Sequence, residues 1–96
     1  MQNQIIITRD FLASRIDSLL NGDIPIPIFG KEMVAYLAFR DRFVLEPDYE
    51  NLLKEVLSEF MDMHDVDQGN VGYQPYVPSH ERLCQLKEML LASERT

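Results

Sequence analysis

The sequence predicts an all-α fold: a compact four-helix bundle with one long loop before the last helix. Apolar residues recur at helical spacing in four segments, glycines and prolines separate those segments, and only one short stretch is a candidate strand. With 96 residues and 46% hydrophobic content, the chain has the length of one domain (residues 1–96) and can bury a modest core.

The first helix is predicted over residues 9–21. Thr8 is a suitable N-cap, and Gly22 can adopt the left-handed conformation that ends a helix. The β-branched run at residues 4–8 could form a short strand, but no second strong strand candidate offers a pairing partner. We therefore expect this run to pack as an extended lead-in or to extend the first helix.

A proline-rich connector leads into the second helix. Pro25 and Pro27 fix φ and remove backbone donors, so residues 23–27 are predicted to be extended, with Pro27 as a candidate first helical position. The helix is predicted to run to about Phe43. It is apolar on more than one side, which favours a place near the centre of the bundle.

The third helix has the clearest pattern in the chain and is predicted to begin at Pro47 or Asp48. Its apolar residues recur at i, i+3, i+4, i+7, i+8, i+11 and i+12. They are Tyr49, Leu52, Leu53, Val56, Leu57, Phe60 and Met61. The same periodicity places Glu55, Glu59 and Asp62 on the opposite, outward face.

A long connection over residues 65–78, rich in glycine and proline, precedes the fourth helix and predicts no regular structure. Loops of this length in small domains are often functional. Ser79 is the predicted N-cap of the last helix. The leucines expected to face the core are Leu83, Leu86, Leu90 and Leu91. Cys84 is expected in the core or at its boundary, and His80 is expected to be exposed.

The acidic residues are concentrated in one segment. Residues 46–67 contain eight acidic residues and one basic residue, and the remainder is balanced, so this segment carries the whole net charge of −7. Such a field repels phosphate backbones and attracts cationic proteins. The charge therefore disfavours direct nucleic-acid binding and favours a cationic protein partner.

No motif in the sequence predicts an enzyme, a metal site or a cofactor. Residues 62–67 are the densest cluster of possible ligands, but an EF-hand loop starting at Asp65 would need Gly and Glu where Asn70 and Tyr76 stand. A zinc site would need more His or Cys than the chain offers. A phosphate-binding loop, a nucleophile elbow and a Cys-x-x-Cys pair are also absent from the sequence. We expect a binding protein with no catalytic residue.

We expect a cytoplasmic protein that is a monomer rather than a homodimer and has no membrane contact. The N-terminus lacks the features of a secretory signal, and no apolar run approaches the length of a membrane span. The single cysteine rules out an intramolecular disulfide and fits a reducing compartment.

The predicted binding residues lie on the third helix and in the connection that follows it. Tyrosines on a proline-stiffened segment suit an interface, although either ring could instead fold back over the bundle. The residues predicted to supply charge are Glu55, Glu59, Asp62, Asp65 and Asp67, and those predicted to supply anchoring contacts are Tyr73 and Tyr76.

Four segments followed by a leucine-rich last helix define the layout of the chain: residues 11–16 (FLASRI), 19–24 (LLNGDI), 40–43 (RDRF) and 46–48 (EPD). This layout resembles small bacterial immunity proteins of the colicin-D and contact-dependent growth inhibition types. The Ile-Pro-Ile-Pro connector and the tyrosine-rich loop depart from that pattern. The resemblance implies a four-helix protein that neutralises a cognate toxin, often a nuclease with a basic active-site cleft.

Three alternatives stay open at this point. A phage-encoded inhibitor that mimics nucleic acid would present a similar acidic face, and gene neighbourhood would separate it from an immunity protein. A small homodimeric regulatory or structural protein would be dimeric by light scattering. A small helical enzyme that uses His64 or His80 would lose its activity on alanine replacement of both.

Overall fold

The computed structural model of the protein describes residues 4–65 and 76–92, and at residues 64 and 65 it describes the backbone alone. The strands and α-helices, in chain order, are β1 (Ile5–Ile7), α1 (Arg9–Leu20), α2 (Ile26–Ala38), β2 (Phe43–Leu45), α3 (Glu50–Ser58) and α4 (His80–Ala92). Short 3-10 helices cover Pro47–Tyr49 and Met61–Asp65, on either side of α3.

The fold is mostly helical, as predicted, but it is not a pure four-helix bundle, because β1 and β2 form a parallel two-stranded sheet. Ile5 pairs with Phe43, Ile6 with Val44 and Ile7 with Leu45. The prediction that residues 4–8 lack a strand partner was therefore wrong. A strand of only three residues gives no period-two pattern by which the sequence could reveal it.

The same sheet corrects the predicted length of the second helix, which ends at Ala38 and not near Phe43. The chain turns at Phe39, whose carbonyl accepts hydrogen bonds from the backbone N–H groups of Arg42 and Phe43. Residues 43–45 then extend beside β1. Valine and phenylalanine suit a strand, so pairing with β1 outweighs the helical spacing that continues into this stretch.

The helix boundaries that depend on local signals are confirmed. The Thr8 hydroxyl accepts a hydrogen bond from the Phe11 N–H at the start of α1, and the Ser79 hydroxyl accepts one from the Arg82 N–H at the start of α4. Gly22 adopts φ 80° directly after α1. These features need only neighbouring residues, which is why the sequence predicts them.

The third helix is shorter than predicted, and its irregular end changes which methionine enters the core. The α-helical part ends at Ser58, and a 3-10 helix follows at Met61–Asp65. Because a 3-10 helix has three residues per turn, Met63 returns to the face of Phe60. Both side chains are completely buried, whereas Met61, which was predicted to be in the core, is only partly buried.

The core joins all the elements around Phe29 and Phe60, whose rings meet edge to face with centroids 5.1 Å apart. α1 packs against α4, and α2 packs against α3 and the 3-10 helix at Met61–Asp65. Leu83, Leu86 and Leu90 of α4 are buried as predicted. Leu91 and Cys84 were also predicted to pack in or beside the core, but Leu91 is 38% exposed and Cys84 is exposed. Both predictions were wrong because these side chains lie off the inward face of α4.

Candidate functional site

The outer face of α3 and its two flanks carries a line of exposed polar residues. We name this line the acidic stripe, and its members are Asp48, Asn51, Glu55, Ser58 and Asp62. The spacing of Asn51, Glu55 and Ser58, which lie within α3, keeps these three on one side of the helix. Asp48 and Asp62 lie in the 3-10 helices before and after it. The opposite side buries Leu53, Val56 and Leu57, so the packing of α3 determines which way the stripe faces.

The predicted residues Glu55 and Asp62 both belong to the acidic stripe and are exposed. Neither carboxylate forms an ion pair with another described residue. Asp48 has the same environment but is not among the predicted binding residues. The sequence could have identified Asp48 by its spacing, because Asp48, Glu55 and Asp62 follow one another at intervals of seven residues.

Glu59 differs from its neighbours because its charge is compensated within the molecule. The Arg82 guanidinium donates hydrogen bonds to both Glu59 carboxylate oxygens, at 2.7 and 2.8 Å, and the Tyr76 hydroxyl donates a third at 2.9 Å. The hydrogen bond from Arg82 lowers the pKa of Glu59, and partial burial opposes this shift. Glu59 is thus a structural link between the end of α3 and the start of α4.

The ring of Tyr76 is exposed to solvent, whereas its hydroxyl is fixed by the hydrogen bond to Glu59. The side chain is 50% exposed, and the hydrogen bond to Glu59 raises the pKa of the Tyr76 hydroxyl. Held in this way, the ring loses little freedom when another molecule packs on it. Of the other predicted residues, Asp65 is described by its backbone alone, and Asp67 and Tyr73 lie outside the described residues.

Most basic side chains in the described part of the chain bind acids of the same molecule. The pairs are Arg9–Glu46, Arg15–Glu32, Arg40–Glu50, Lys54–Glu50, Arg82–Glu59 and Lys87–Asp17. Three of the pairs connect helices: Arg15–Glu32 joins α1 to α2, Arg82 joins α4 to the end of α3, and Lys87–Asp17 joins α4 to α1. Because these cations are already engaged, little positive charge is left to offset the acidic stripe beyond the electrostatic attraction between Arg82 and Glu55.

The start of the acidic stripe is held in place by a contact between α1 and the segment after β2. Glu46 accepts hydrogen bonds from the backbone N–H and the Nε of Arg9, both at 3.1 Å. The Arg9 guanidinium also lies over the Tyr49 ring, 3.6 Å from its centroid, in a cation–π contact. The hydrogen bond from Arg9 lowers the pKa of Glu46. Asp48 lies between these two anchored residues.

No group of three or more His, Cys, Asp or Glu residues within residues 4–65 and 76–92 is placed to hold a metal ion. No helix in the described part of the chain is both long and apolar enough to cross a membrane.

A scan against protein-family models finds no matching family, and searches of curated proteins and of solved structures find no match either.

Proposed function

We propose that this protein binds a cationic protein through the acidic stripe. More specifically, we propose that it is an immunity protein that neutralises a basic nuclease toxin by covering the active-site cleft of that toxin. The observation that supports this most is the line formed by Asp48, Glu55 and Asp62, three exposed carboxylates without an ion-pair partner among the described residues.

The spacing of these carboxylates suits several separate cations. Positions seven residues apart in an α-helix lie roughly 10 Å from one another; Glu55 lies in α3, and Asp48 and Asp62 lie in the 3-10 helices on either side of it. A separation of this order exceeds the Debye length of about 8 Å at physiological ionic strength, so salt screens the carboxylates from one another and each can bind its own cation. A cationic partner would be steered toward α3, and the association rate would fall as salt is added.

The same spacing favours a protein target over mimicry of nucleic acid. A DNA strand places one phosphate about every 3.4 Å along the helix axis, whereas the carboxylates of the stripe stand seven residues apart, a spacing of roughly 10 Å along an ideal α-helix. Asn51 and Ser58 fill the intervals with groups that both donate and accept hydrogen bonds. Such a surface suits a few separate lysines or arginines and the polar groups between them.

The proposed mechanism is steric and electrostatic, with no chemical step. Glu55 and Asp62 would pair with cations that otherwise hold the phosphates of the nuclease substrate, and Asp48 would extend this contact along the cleft. The exposed ring of Tyr76 would pack at one border of the interface, positioned by Glu59 and Arg82. The resemblance of the chain to bacterial immunity proteins supports a nuclease toxin as the partner.

Affinity capture from a lysate of the source organism, followed by mass spectrometry, tests the proposal. We expect a basic nuclease domain to be recovered and its activity to be inhibited by the purified protein. The variant Glu55→Lys/Asp62→Lys should fold normally and lose both capture and inhibition. The control Asp23→Lys/Glu88→Lys changes the net charge equally at exposed acids away from α3, and it should retain both.

Each outcome of that comparison is informative. Equal loss in both double variants would mean that net charge, and not the acidic stripe, is responsible. Unchanged capture and inhibition by Glu55→Lys/Asp62→Lys would overturn the assigned surface. Capture of a partner that is neither basic nor a nuclease would overturn the proposed target.

A further inference from the structure

We propose that the edge of β1 to which no other described residue is hydrogen-bonded pairs antiparallel with β1 of a second copy of this chain. The two copies would then share a four-stranded sheet with a two-fold axis at Ile6. This inference does not depend on the proposed function, because it concerns the edge of β1 that faces away from β2, whereas α3 packs beside β2.

Hydrogen bonding defines which edge of β1 is open. The Ile5 N–H donates to the Arg42 carbonyl at 2.8 Å, and the Glu46 N–H donates to the Ile7 carbonyl at 3.0 Å. Ile5 and Ile7 therefore direct their backbone groups toward β2, and the alternation along a strand turns those of Ile6 the other way. No backbone hydrogen bond from another described residue reaches the N–H or C=O of Ile6.

Two of the three side chains of β1 are also unusually exposed. Ile5 and Ile6 are each 57% accessible, although parallel sheets are normally covered on both faces. The strand carries none of the lysine, proline or bulge features that usually protect an edge from pairing. Covering this edge would remove apolar surface from water and satisfy two backbone groups at once.

Self-pairing about Ile6 gives a register that fits the exposure of the individual side chains. Ile6 of each copy would face Ile6 of the other and exchange both N–H···O=C bonds. Ile5 would face Ile7 of the second copy, which is completely buried in its own core. The exposed Ile5 of one copy would then lie beside Ile7 of the other copy, on the same face of the shared sheet.

The distribution of charge makes a second copy an acceptable occupant despite the net charge of −7. Residues 4–8 carry no charged side chain, so no like charges meet along the pair. Arg42 lies beside the N-terminal end of β1 and Asp10 follows its C-terminal end. Both are exposed, and neither is in an ion pair with another described residue. Antiparallel pairing brings Asp10 of one copy toward the end that carries Arg42 in the other, where the exposed Asp41 offsets Arg42, so Asp10 meets no net like charge.

Apolar residues on the β2 side support β1 from its other edge. Phe43 pairs with Ile5 in the sheet, and its ring packs edge to face on Tyr36, with centroids 4.9 Å apart. The Phe39 side chain, 53% exposed, lies at the same end of the sheet, where its carbonyl binds the Phe43 N–H. Because each strand has only three residues, we expect a dimer that depends on concentration. The sequence predicts a monomer, and the exposed edge of β1 is the reason that we propose a dimer instead.

Sedimentation equilibrium of the full chain over about a hundredfold range of concentration tests the proposal. The wild type should shift from monomer toward dimer. Ile6→Pro removes the outward N–H and fixes φ, which an edge strand tolerates, and Ile6→Lys adds a charge at the edge, so both should stay monomeric with unchanged circular dichroism. Ile28→Lys alters an isoleucine of similar exposure on α2, and it should dimerise like the wild type.

A cross-linking experiment tests the register. In a closely hydrogen-bonded antiparallel pair the facing Cα atoms are about 5.5 Å apart, within the range that a disulfide spans. On a Cys84→Ser background, Ile6→Cys should form a disulfide-linked dimer on mild oxidation and Ile28→Cys should not. A wild type that stays monomeric throughout, or a dimer that survives both Ile6→Pro and Ile6→Lys, would overturn the proposal.

Discussion

The guanidinium of Arg82 donates two hydrogen bonds, of 2.7 and 2.8 Å, to the carboxylate of Glu59. Arg82 lies in the first turn of α4, and Glu59 lies just beyond the end of α3. The pair joins two helices whose ends are more than twenty positions apart in the chain, and it brings Tyr76 to the same carboxylate. It therefore holds one border of the acidic stripe.

We expect loss of this link to destabilise the fold. Arg82→Gln and Glu59→Gln should each lower the urea concentration at the unfolding midpoint, because each change leaves the other partner with an unmatched charge. The double variant should lose less than the sum of the two single changes, since the paired interaction is lost only once. Arg42→Gln, at an exposed arginine without an ion pair among the described residues, is the control and should leave the midpoint nearly unchanged.

The ion pair between Arg82 and Glu59 should also make the free energy of unfolding depend on pH. Arg82 lowers the pKa of Glu59 below the ordinary value of 4.5, so the native state binds fewer protons here than the unfolded state. The resulting stabilisation is complete above pH 4.5 and is lost as the pH falls through the lowered native pKa. The difference in unfolding free energy between wild type and Glu59→Gln should therefore shrink between neutral and strongly acidic pH. A constant difference across that range would contradict this origin.

Met63 should contribute much more to stability than Met61. Met63 is completely buried, whereas Met61 is partly exposed two residues earlier in the same 3-10 helix. Met63→Ala should cost about 2–5 kcal/mol, the usual range for removing a buried methionine side chain. Met61→Ala is the matched control and should cost clearly less. Urea unfolding measures both, and equal costs would contradict the inward position of Met63.

The N-caps offer a separate test of local structure. Thr8→Ala and Ser79→Ala each remove a hydroxyl that accepts a backbone N–H at the start of a helix, and each should cost about 1 kcal/mol. Ser18→Ala removes a hydroxyl that only donates to the Ser14 carbonyl within α1, so its cost should be smaller. Thermal unfolding followed by circular dichroism measures all three.

Much of the candidate site follows from periodicity. The leucine spacing of α3 requires Glu55 and Asp62 to face outward, and both are exposed. The same reasoning also placed Glu59 outward, but it could not reveal that Arg82 would approach from another helix. A pattern within one helix reports which residues share a face, and it contains no information about which cation of a distant segment will meet them.

The amino-acid sequence by itself determined the features that depend on near neighbours. These are the four helical segments, the caps at Thr8 and Ser79, the left-handed turn at Gly22 and the outward direction of the acids on α3, each of which arises from steric or hydrogen-bonding preferences within a few residues. The tertiary structure alone decided three others: the pairing of β1 with β2, the compensation of Glu59 by Arg82, and the exposure of Cys84. The first two depend on contacts between segments that are distant in the chain, and the third follows from the face of α4 that tertiary packing turns inward.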